Sequence, residues 1–124
     1  KYDNNTSSFV LACSDETSDL EIGDDKAQIR LPFQFELTSI SANVNTAPTG
    51  STISIQVQED GSDILTTPIT IDISETTSES AAVPPVIDDS TLAANSIISI
   101  DLDQIGSSTA GTGLKINLIG YRIV

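Results

Sequence analysis

Five separate stretches of this chain alternate apolar and polar residues strictly, and a period of two marks a strand with one buried and one wet face. Ile29, Leu31, Phe33, Phe35 and Leu37 are apolar, while Arg30, Gln34 and Glu36 between them are polar. The same rule yields Ile53, Ile55, Val57; Ile69, Ile71, Ile73; Ile98, Ile100, Leu102; and Leu114, Ile116, Leu118. No segment carries a helical apolar stripe, and residues 90 to 94 suit one helical turn at most. The fold class that follows is all-β.

With 124 residues, 38% of them apolar, the chain has room for a single core. Five aromatic residues (Tyr2, Phe9, Phe33, Phe35, Tyr121) leave that core to Ile, Leu and Val, which suit pleated surfaces. Eighteen acidic residues against five basic ones give a net charge of −13, which repels nucleic acid and anionic lipid and suits an extracellular object. No apolar run reaches the roughly 20 residues of a membrane helix, so no membrane insertion is expected. The start at Lys1 is expected to reflect processing or a place within something longer.

Residues 1–7 are polar and aperiodic, as in an arm or linker, and residues 8–124 then form one domain. Its first strand is expected at about Ser8 to Cys13, followed by an acidic loop from Asp15 to Asp25. A second strand spans about Ala27 to Leu37, with Pro32 making it an edge strand or a bulged one. The apolar parity then flips to Ile40, Ala42 and Val44, which requires a turn or bulge near Thr38 and Ser39. Turns at 47–50 and 59–62 bracket a strand from Thr52 to Gln58; a short strand near Asp63 to Leu65 and one from Ile69 to Ser74 come next. Periodicity fades from Glu75 to Ser96, as in a long crossing loop, and strands at 97–103 and 113–124 close the fold. About eight antiparallel strands with polar turns predict a β-sandwich of jelly-roll type.

Chemistry finds little footing in these residues. Serine or cysteine nucleophiles usually rely on a histidine base, and the sequence has none. A carboxylate pair of the glycosidase kind would lack aromatic walls for a sugar cleft. Gly106 to Lys115 superficially resembles a phosphate loop, but Thr112-Gly113 replaces the Lys-Ser/Thr pair and strand follows it. Asp101 and Asp103 alternate on one strand face, so they are the candidates for Ca²⁺, with Asp24-Asp25 and Asp88-Asp89 as similar oxygen donors; alternating Asp is also the usual wet side of a strand. Neither a metal nor another cofactor is expected. Cys13 ends an apolar strand, consistent with an inert buried thiol or a disulfide between copies.

Some apolar residues are out of phase. Ile119, Tyr121 and Ile123 alternate against Leu114, Ile116 and Leu118, and Ile97 stands beside Ile98. Either a bulge near Gly120 re-aims the last strand, or both of its faces are covered. The second option makes Ile97, Ile119, Tyr121 and Ile123 candidates for a subunit interface.

Several spaced strings carry a resemblance: Phe9 to Ala12 with Ser14 to Thr17, Thr46 to Thr52, Asp101 to Gly111, Gly113 to Lys115, and Leu118 to Gly120. From Phe9 onward the chain resembles a module of tailed bacteriophages and prophages that occurs alone or at the end of tail or fibre polypeptides. Gly23 to Ala27 is more acidic than that pattern, and residues 1–7 have no counterpart in it. The resemblance implies a noncatalytic virion structural protein on the particle surface, as a fibre, appendage or capsid decoration. It also implies a homo-oligomer, a trimer by analogy, docked to other virion proteins. It supplies no catalytic residues. Rival readings are a receptor- or glycan-binding adhesion domain acting through loops 14–26 and 75–96, and a filament subunit that donates residues 1–7 as a strand to the next copy. A carboxylate enzyme is the last of the rivals.

Overall fold

The computed structural model describes residues 2–123, with side chains from residue 6 to 123. Its strands are β1 (Tyr2–Ala12), β2 (Gly23–Arg30), β3 (Phe35–Asn43), β4 (Ile53–Glu59), β5 (Ser62–Asp63), β6 (Leu65–Thr67), β7 (Ile69–Ile71), β8 (Val86–Ile87), β9 (Thr91–Leu92), β10 (Ile97–Gln104) and β11 (Lys115–Ile123). One sheet runs β1-β11-β3-β9 and the other β2-β10-β4, with β5 and β7 both paired to β4. A small pair, β6-β8, stands apart, and every pairing is antiparallel.

Without the short β5, β6 and β8, eight strands remain. In chain order they lie first-eighth-third-sixth in one sheet and second-seventh-fourth-fifth in the other. That is the winding of a jelly roll, in which two antiparallel sheets press their apolar faces together. The alternating residues fill the interior: Phe35, Ile53, Ile55, Val57, Ile69, Ile71, Ile98, Ile100, Leu114, Ile116 and Leu118 are fully buried. All three phenylalanines gather at one end, Phe9 meeting Phe35 edge-on at 5.2 Å and Phe33 at 5.8 Å between ring centroids.

Several boundaries differ from the sequence reading. The first strand begins at Tyr2, so residues 2–7, expected as an arm, lie in β1 beside β11, with Ser7 opposite Gly120 and Thr6 opposite Tyr121. Polar residues without a period fit here because a ladder is made by backbone groups, whatever the side chains. The expected strand from Ala27 to Leu37 is two strands in opposite sheets, with Pro32 in the crossing between them. Proline has no amide to donate, so the chain leaves one ladder there and joins the other. Leu31 and Phe35 enter the same core from either side of that crossing, and so the alternation survives the break.

The parity flip in β3 is a bulge. Ser39 pairs with Ile119 and Leu37 with Gly120, which leaves Thr38 as the extra residue. Asp60 (φ 49°) and Gly61 (φ 87°) are both left-handed, as a two-residue hairpin of the twisted kind requires, and they turn β4 into β5. Ile73 is 47% exposed because β7 ends at Ile71; Ile29 and Phe33 are only partly buried. The expected loop from 75 to 96 contains β8, β9 and a single 3₁₀ turn at Ser78–Ser80. Thr77 caps that turn by accepting the Glu79 amide at 3.1 Å, and the buried Ser78 hydroxyl accepts the Ala42 amide at 2.9 Å.

Candidate functional site

The bulge at Thr38 decides where the out-of-phase residues of β11 lie. Since the extra residue belongs to β3, β11 keeps its alternation throughout. Leu118, Gly120 and Arg122 face inward, and the Arg122 guanidinium lies 5.1 Å from the Phe33 ring centroid at the end of the core. Ile119, Tyr121 and Ile123 therefore lie on the outer face of the four-stranded sheet, each half-buried. The bulge expected near Gly120 lies across the ladder at Thr38 of β3, so it does not re-aim β11, and the three residues stay on the outer face.

Their neighbours across the ladder are small or polar. Ile119 lies between Ser8 and Ser39, and Tyr121 between Thr6 and Glu36. Val10, opposite Asn117 on the same face, is 62% exposed. The result is a shallow apolar ridge on a face otherwise lined by polar groups, with Glu36 and Lys115 as its charged members and the Asn117 amide donating to Ser41 at 3.2 Å. Val10 was missed in the sequence because it sits inside an apolar run, where parity is unreadable. Ile97 does not join this ridge. It pairs with Arg30 in the other sheet, half-buried, and its amide donates to the Asp60 carboxylate at 2.9 Å.

The acidic candidates form a wall on the five-stranded sheet. Asp101 is only 7% exposed, and one of its oxygens accepts the Asp25 amide at 3.0 Å. Asp103 beside it is exposed; partial burial and then repulsion from Asp101, Asp24 and Asp63 raise its pKa above the usual carboxylate value. Among the described residues, no group of three or more carboxylates or thiols is placed to hold a metal ion. Asp88 and Asp89 lie in a different place, next to Glu59. Burial, a hydrogen bond to Glu59 and then repulsion from Glu59 and Asp88 push the pKa of Asp89 up.

The loop expected between Asp15 and Asp25 closes a cleft of about 380 Å³, walled by Cys13, Asp15, Asp19, Glu21, Lys26 and Leu102. Asp15 folds its own loop by accepting the amides of Thr17 and Ser18 at 3.0 and 2.7 Å, which holds its carboxyl below the usual range. Glu16 is held low by its 2.6 Å hydrogen bond from Lys115, an exposed pair that adds little stability. Burial pushes the Cys13 thiol up to about 12, so it stays protonated and unreactive at neutral pH. The segment resembling a phosphate loop folds onto Thr49 instead: Ser108 donates to the Thr49 carbonyl and Thr109 to its hydroxyl, both at 3.0 Å. Those amides are therefore already engaged.

No family model, curated protein or solved structure matches the chain.

Proposed function

We propose that the protein is a noncatalytic structural module of a phage particle, displayed on its surface and working by docking and self-association. The observation that carries this reading is the ridge of Val10, Ile119, Tyr121 and Ile123 on the outer face of a sheet whose inner face already fills the core. Apolar side chains on the outside of a small sandwich suit a contact surface. The spaced strings that resemble the phage module support the virion setting, and the acidic surface suits exposure to the medium.

The test is assembly. Replacing Tyr121 with Ala and Ile123 with Ser should lower the assembled fraction in sedimentation while leaving the β-sheet spectrum intact. On purified particles, a decoration role predicts a fixed ratio to the capsid subunit, and a fibre-tip role predicts only a few tens of copies per particle. Unchanged assembly in the variant would remove the ridge from the proposal.

The cleft beside Lys26 favours a second reading, an adhesion domain that takes a small polar ligand such as a host-surface glycan. Glycan binding lost on Lys26→Ala, with assembly unaffected, would select it. The filament reading would need the segment that holds Tyr2, Thr6 and Ser7 against β11 to leave its own chain for the next copy.

A further inference from the structure

Every jelly roll leaves sheet edges that must be protected, and the two on the β1/β2 side of this one differ sharply. At the end of the five-stranded sheet, β2 carries Asp24, Asp25, Lys26 and Arg30, and the left-handed Asp25 (φ 54°) accompanies a break in its register with β10. Charges and bulges are the usual devices against unwanted strand pairing. At the end of the four-stranded sheet, β1 has no charged residue and no proline from Asn4 to Ala12, and from Thr6 to Ala12 it runs in unbroken register with β11. One edge is guarded and the other is open.

We propose that β1 is a pairing edge and that its partner is β1 of a second copy, running antiparallel about a two-fold axis. This rests on the self-association reading above and gives it a contact. The choice of a second copy comes from charge. Although the chain carries −13, the four strands of this sheet hold only Asp3, Glu36, Lys115 and Arg122 among charged residues, a balanced set. The strands of the other sheet hold six acidic residues (Asp24, Asp25, Glu59, Asp63, Asp101, Asp103) against two basic ones. Two copies can therefore meet along β1 without bringing their acidic faces together. A two-fold centred on Phe9 sets Thr6 to Ala12 of one copy against Ala12 to Thr6 of the other, uncharged residues throughout. Two four-stranded sheets then continue as one, and the Val10 and Ile119 ridges of both copies meet beside the axis. An isologous strand pair closes at two copies, which distinguishes it by mass from the trimer that the phage resemblance implies.

The experiment is sedimentation equilibrium on the full chain and on Ser8→Lys/Val10→Lys, whose two sites are solvent-exposed and opposed to each other across the proposed axis. The unmutated chain should have twice the monomer mass. The two lysines should raise the dimer dissociation constant roughly tenfold or more, through like charges set opposite one another in the ladder, with the circular dichroism spectrum unchanged. Gln28→Lys, an exposed site on the guarded edge, should leave the dimer as it was. A dimer or trimer indifferent to the β1 lysines but broken by Tyr121→Ala/Ile123→Ser would overturn the edge pairing and leave the self-association reading intact. A monomer at high concentration would overturn both.

Discussion

The backbone amide of Asp25 donates to the carboxylate of Asp101 at 3.0 Å, tying a left-handed residue of β2 to a nearly buried acid of β10. The two strands slip register at this place, between Ile100 and Leu102, so a side chain replaces a missing ladder bond. Asp101→Ala should cost about 1–3 kcal/mol by leaving the amide without an acceptor. Asp101→Asn keeps an acceptor oxygen and removes a charge next to Asp103, so it should cost less than the alanine. Urea unfolding of the two variants measures this, and equal losses would sink the assignment.

Phe35 has no exposed surface, whereas Phe33 is partly exposed and covered by Arg122. Truncating Phe35 to Ala should cost about 3–5 kcal/mol, and Phe33→Ala clearly less, because part of its ring already meets water. Thermal melts of both variants give the order, and a reversed order would mean that the aromatic cluster packs differently.

How much of this was legible in the sequence depended on which residues make the signal. Ile53, Ile55, Val57 and Ile98, Ile100, Leu102 read correctly as core because each strand has one face on the interior and parity says which. Ile73 misled, since alternation continues past Ile71 after the β7 ladder has ended. Pro32 was read as a flaw within one strand, yet it marks a change of sheet, and parity cannot show which sheet a residue faces from. The ridge was half legible: Ile119, Tyr121 and Ile123 stood out by phase, but Val10 and the open edge of β1 depend on strand order, which no local pattern carries.

Gly120 sits where the Thr38 bulge presses β3 against β11. A Cβ there would lie 1.8 Å from the Glu36 carbonyl oxygen and 3.1 Å from the Leu37 Cα, backbone atoms that cannot swing aside. Gly61, by contrast, has nothing within 4 Å of its would-be Cβ, and only its positive φ opposes a side chain. Gly61→Ala should therefore cost about 1–2 kcal/mol, the ordinary penalty of a left-handed residue. Gly120→Ala should cost more and should expose amides of β3 near Leu37 to hydrogen exchange. If the two alanines destabilise equally, the close approach at the bulge is not tight.

Acid should first stabilise this fold and then destabilise it. Asp103, raised by partial burial and by the carboxylates around it, and Asp89, raised by burial and by its contact with Glu59, bind a proton more readily folded than unfolded. Their cost to the fold is fully present above their raised pKa values and is relieved as pH falls through them. Asp15 and Glu16 run the other way: the Ser18 amide and the Lys115 ammonium hold them low, so their contribution is present above the ordinary carboxylate range and lost as pH falls through the lowered values. A net charge of −13 adds repulsion that also declines as carboxylates protonate. The melting temperature should rise as pH falls from neutral through the raised values of Asp103 and Asp89, and fall again once pH drops below the ordinary carboxylate range. Asp103→Asn should raise the melting temperature at pH 7 and flatten the climb, because the repulsion it relieves is then absent at every pH. A melting temperature that drops steadily from pH 7 downward, with Asp103→Asn tracking the parent chain, would show that the Asp103 carboxylate is not crowded.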